Sequence, residues 1–174
     1  MKRTAERGFT LVEIMIVVAI IALLAAIAIP NILRGRATAN EAAAIGNLRA
    51  LVSSLEMFRS SQATYPTVAQ TWATPMFPGA GVPAFAPPSF NLPLETAGGG
   101  TVQGYIYRYR DGATAGQQYQ LVAVPATLNQ TGTKSFFVNE SGTLQHCTGT
   151  AVTFTTAAWA AVPTIDAAPA VGCP

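Results

Sequence analysis

One carboxylate is conspicuous for where it lies. Between Phe9 and Ile29 every residue is apolar except Thr10 and Glu13. An ionised acid inside a membrane span is costly, less so near a helix start from which it can reach the headgroups. A residue kept there is functional by default, and the chemistry it suggests is pairing with a cation. The run holds no Lys or Arg to supply one. A cut after Gly8 would supply one, because it exposes the amino group of Phe9 four residues from Glu13.

Other reactive side chains are sparse. His146 is the sole histidine, and Ser141 lies in no nucleophile-elbow sequence, so no catalytic centre is expected. A hard cation needs clustered carboxylates. Glu95, Asp111, Glu140 and Asp166 are scattered, so no metal and no cofactor is expected. Cys147 and Cys173 lack the CxxC spacing of a redox or zinc site. In an exported chain such a pair reads as a structural disulfide. Closing a loop of that length contributes roughly 3–4 kcal/mol in the chain-entropy model. The formal charge of +2 comes from Lys2, Arg3 and Arg7 against Glu6, leaving seven basic and seven acidic residues after Gly8. A neutral body without a basic stripe argues against a nucleic-acid surface.

The element that must position Glu13 is the apolar run itself. As a helix it reaches about 30 Å, enough to cross a hydrocarbon core. The three basic residues before it keep the N-terminus cytoplasmic and send the body out. Arg34 and Arg36, on the far side, suit headgroups. Two plainer readings compete. A cleaved secretory signal is favoured by the small-x-small pattern Ala26-Ile27-Ala28, but the run exceeds the usual apolar length and carries an acid. A plain anchor explains the length and leaves Glu13 without a reason.

A basic leader ending in Gly8, followed by Phe9-Thr10-Leu11-Val12-Glu13 and an apolar helix, resembles the start of type IV pilins and type II secretion pseudopilins. The resemblance implies cleavage between Gly8 and Phe9 by prepilin peptidase and N-methylation of Phe9. It also implies that Glu13 meets the N-terminal amine of a neighbouring subunit during assembly. Pro30 falls where many members carry a helix-kinking proline. The implied partners are identical or related subunits in a helical homopolymer, the peptidase, an inner-membrane assembly platform and, before assembly, lipid. The implied location is a single-pass precursor in the inner membrane, then an extracellular pilus. A structural pilus subunit is the leading expectation and a secretion pseudopilin the alternative. A single-span anchored periplasmic binding or enzymatic domain is the third.

Beyond Pro30 the alanine-rich sequence continues as a helix. Ile45, Leu48, Val52 and Leu55 recur at three and four residues, an apolar stripe expected to face a sheet. Within the long helix Phe9 and Phe58 are the only aromatics, which disfavours an aromatic wire along it. Residues 61–103 turn to Pro, Gly, Ala and aromatics, an irregular connection that Trp72, Phe77, Phe85 and Phe90 would pack down. Alternating patterns in VQGYIYRYRDG, QYQLVAV, KSFFVNESG and TLQHC predict an antiparallel meander. The expected organisation is a leader at 1–8, a long helix at 9–60 whose span is 9–29, the loop at 61–103, and a sheet at 104–174 closed by Cys147 and Cys173. The fold class is α+β and pilin-like.

Overall fold

In the computed structural model, residues 8–79, 81–96, 98–112, 114–150, 170–171 and 173 are described. One helix, α1 (Leu11–Gln62), takes up the first third of the chain and is a single element through Pro30. Pro30 has no N–H, so the carbonyl of Ala26 loses its usual helical donor. At the adjacent residue, the Asn31 side-chain amide donates to the Ile27 carbonyl at 3.0 Å. The helix stops where Ala63 turns left-handed (φ 61°), with its N–H still donating to the Arg59 carbonyl at 2.8 Å.

The chain divides into two units, Met1–Arg36 and Ala37–Pro174. In the first, every large apolar side chain from Phe9 to Leu33 is half exposed or more. The second contains the core. Its sheet has six strands in sequence order: β1 (Gly100–Val102), β2 (Tyr105–Asp111), β3 (Tyr119–Pro125), β4 (Lys134–Asn139), β5 (Gln145–Thr148) and β6 (Ala170–Val171). Neighbours from β1 to β5 are antiparallel, whereas β6 runs parallel to β5. β1 and β2 join through Gln103 (φ 49°) and Gly104 (φ 78°), both left-handed, which suits the right-handed twist of a tight hairpin.

Three features depart from the sequence expectation. The sheet begins at Gly100, inside the stretch read as irregular, because a glycine run conceals the strand. Gly100 is needed there: a Cβ would lie 2.7 Å from Leu94 Cδ2. The meander also acquires a parallel strand, β6, from the chain end that Cys173 ties back to β5. The buried stripe of α1 is rotated from the expected one. Ala44, Leu48, Leu51, Leu55 and Phe58 are buried, whereas Ile45 and Val52 sit only partly buried at the margin. The remaining α1 expectation ran from 9 to 60, and the helix observed is Leu11–Gln62.

Against that stripe β2 turns Tyr105, Tyr107 and Tyr109, all buried, while Ile106, Arg108 and Arg110 take the other face. Trp72 and Phe90 are buried against the same tyrosines: the Trp72 ring lies 5.0 Å from Tyr109 and the Phe90 ring 4.9 Å from Tyr107. Phe77 and Phe85 pack at the edge, Phe85 edge-on to Phe58 at 5.2 Å. The loop is thus fastened by its aromatics and by the Trp72 indole, which donates to the Phe90 carbonyl at 2.9 Å. A smaller cluster, Val122, Val124, Phe137 and Cys147, occupies the opposite face of the sheet.

Candidate functional site

Among the described residues of the first unit, the chemistry is concentrated in its opening turn. Thr10 is the last residue before α1. Its backbone N–H and its hydroxyl both donate to Glu13 Oε2, at 2.8 and 2.7 Å. In return the Glu13 N–H donates to Thr10 Oγ1 at 3.3 Å. This reciprocal arrangement is a capping box, which satisfies helix-start donors that have no partner within the helix. Glu13 therefore has a neutral partner in its own chain, where the sequence offered no basic one. The signal was legible: Thr-x-x-Glu before an apolar run is the capping-box pattern.

Around this turn the surface is hydrocarbon. Phe9 is 85% exposed, Leu11 and Val12 are exposed, and α1 carries a stretch long and apolar enough to cross a membrane. Gly8 is exposed, with open space where a side chain would be. Arg34 and Arg36 are exposed near the end of this unit. Lys2, Arg3 and Arg7 lie outside the described residues.

Residues 3–29 match the family model described as the prokaryotic N-terminal methylation motif. Its N-terminal segment thus carries the motif with which type IV pilins and type II secretion pseudopilins begin. It is 37% identical over 70 residues to the type II secretion system core protein G of Klebsiella michiganensis, covering 40% of this chain and 49% of that protein. To the same core protein of Escherichia coli it is 38% identical over 65 residues, 37% of this chain and 45% of that one. To the type IV major pilin protein PilA of Myxococcus xanthus it is 50% identical over 60 residues, 34% of this chain and 27% of PilA. The chain thus matches about half or less of these relatives' length. No solved structure matches it.

The other residues singled out from sequence are dispersed among structural tasks in this pilin-like fold. Cys147 and Cys173 are disulfide-bonded, with Cα atoms 5.2 Å apart. His146 is buried on β5 opposite Phe136, ring centroids 6.3 Å apart. Ser141 closes a turn, donating its hydroxyl and N–H to Asn139 Oδ1 at 2.6 and 3.1 Å. Glu95 accepts the Trp72 N–H, and both Asp111 oxygens accept from the Val68 N–H. Among the described residues no three His, Cys, Asp or Glu side chains gather to hold a metal ion. Asp166 lies outside them.

Proposed function

We propose that the chain is the structural subunit of a type IV pilus. In this reading it is made as a single-span precursor in the inner membrane and cut between Gly8 and Phe9 by prepilin peptidase. Phe9 is then N-methylated, and the subunit polymerises through its apolar helix from an inner-membrane platform. Glu13 pairs with the Phe9 amine of a neighbouring subunit, and Pro30 supplies the bend. The role needs no catalytic residue, and the family is structural rather than enzymatic.

The observation that carries it is an acid held at the first turn of an exposed apolar helix inside a matched methylation motif. Its physical sense is that a carboxylate in an apolar bundle is penalised unless it is paired. A neighbour at the wrong offset leaves Glu13 without the amine, so the pair can select axial register. The pilus reading is supported by the higher identity to PilA and by the disulfide-closed tail. A second reading, a secretion pseudopilin, is supported by the several core protein G relatives.

The processing step is tested by mass spectrometry and N-terminal sequencing of the membrane-extracted chain. A mature chain beginning at a monomethylated Phe9 is expected, and Gly8→Val should leave uncut precursor. A mature N-terminus at Ile29 would overturn the reading in favour of an ordinary secretory signal. Sheared surface filaments containing the chain support the pilus. Loss of protein secretion on deletion, without surface filaments, moves the assignment to the pseudopilin.

A further inference from the structure

Within the second unit, α1 is held to the sheet in two different ways. From Leu48 onward large side chains do it: Leu48, Leu51 and Leu55 are fully buried and Phe58 nearly so. Between residues 37 and 47 the buried side chains are Ala37 and Ala44, whose methyls remove little surface from water, with Ile45 only partly buried at the margin. Ala42, Ala43 and Ala44 also present the same methyl in three successive directions, so apolar contact alone does not choose among them.

Hydrogen bonds hold this stretch instead. Asn40 Nδ2 donates to the Thr131 carbonyl at 3.0 Å. Glu41 Oε1 accepts from both the N–H and the hydroxyl of Thr133, at 2.8 and 2.7 Å, and Glu41 Oε2 lies 3.7 Å from Lys134 Nζ. Asn47 Nδ2 donates to the hydroxyl of Tyr107 and to Gln103 Oε1, both at 3.0 Å. Two turns close tightly on these side chains. A Cβ at Gly104 would stand 2.9 Å from Asn40 Nδ2 and 3.1 Å from Thr131 Cβ, at a φ of +78°.

We propose that Asn40 and Glu41 are positioning residues: they, rather than apolar packing, hold residues 37–47 of the helix on the sheet and fix its rotational setting. Polar groups suit this task because a partner is either met or lost, whereas methyls are interchangeable. The inference deepens the filament reading: a subunit whose helix polymerises must present its sheet unit in one orientation.

The test uses the full chain, unassembled, in lipid nanodiscs, so its result does not depend on whether the chain polymerises. Spin labels go on the exposed positions Ala42 and Gln130, and the distance between them is measured by pulsed electron resonance. One narrow distance is expected for the parent chain. Asn40→Ala/Glu41→Ala should broaden it and add a component displaced by ~5 Å or more, as rotation carries the label around a helix of about 5 Å radius. Glu41→Gln, whose amide oxygen still accepts from Thr133, should restore the narrow distance, and Lys134→Ala should not disturb it. Leu55→Ala, a purely apolar loss, should keep the narrow distance below its own melting temperature. If circular dichroism shows the double variant unfolded, Glu41→Ala alone is read by the same criterion. A parental distance in the clasp variant, or equal broadening in Leu55→Ala, overturns the proposal.

Discussion

At the scale of single residues, Glu13 has two partners to choose between. In its own chain it closes the capping box with Thr10, and in the proposed filament it meets a neighbour's amine. In the proposed membrane precursor the first arrangement would make the carboxylate tolerable, because two donors already point at one of its oxygens. The second is stronger, since both partners are charged. Glu13→Val removes the acid and both sets of contacts while leaving Gly8 and the span intact. It is expected to insert and be processed, yet to give little sheared filament in a strain lacking the native gene. Glu13→Asp, with a shorter reach, should give partial yield. Wild-type yield from Glu13→Val would show the carboxylate to be dispensable. The anomaly of an acid in an apolar run was legible from sequence, and so was the methylation motif around it. The partner within the chain is less conspicuous because it carries no charge: a helix start is satisfied by a hydroxyl and an amide.

At the scale of elements, the helix, the loop aromatics and the alternation of β2 were legible because burial imposes a period on the sequence. The exact face of α1 was not. Leu48 and Leu55 belong to both possible stripes, and the tie is broken by Leu51 and Phe58, which are buried in one cluster with the sheet tyrosines and the loop aromatics. β1 was hidden because its Gly100 is chosen for lack of a side chain rather than for strand preference. β6 was hidden because a parallel partner comes from distant sequence, through the disulfide. The rotated stripe has a direct consequence. Leu51→Ala empties a fully buried site and should cost about 2–5 kcal/mol, whereas Val52→Ala, at the margin, should cost clearly less. Urea denaturation of both variants in detergent would expose an inverted order, which would mean that the expected stripe was the right one.

At the scale of the whole molecule, the second unit is stabilised by one covalent tie and by an unusual number of buried phenols. The disulfide spans 26 residues of sequence, so Cys173→Ser should lower stability by roughly 3–4 kcal/mol in the chain-entropy model, seen as a lower melting temperature. The phenols make a separate prediction about pH. Tyr105, Tyr107, Tyr109 and Tyr119 are at most 1% exposed. Burial pushes Tyr107 up to about 12, with the Asn47 amide pulling it partly back. Burial pushes the other three higher still, reinforced by Glu41 at Tyr105, by Asp111 at Tyr109 and by Tyr65 at Tyr119. In the unfolded chain each would ionise near ~10. The folded unit therefore keeps its phenolic protons where the unfolded chain gives them up. The resulting stability is complete below about pH 10 and is lost as pH rises toward and through about 12. Each fully excluded phenol should steepen that loss by up to about 1.4 kcal/mol per pH unit. Tyrosinate absorbance from these residues should stay silent until the far-ultraviolet dichroism collapses, and the two signals should then move together. Tyr107→Phe removes one titrating proton and should make the fall of stability with pH shallower, although it also loses the bond from Asn47 and starts from a lower value. Four phenols ionising near pH ~10 with the dichroism intact would mean that they are open to water and that the helix does not cover them.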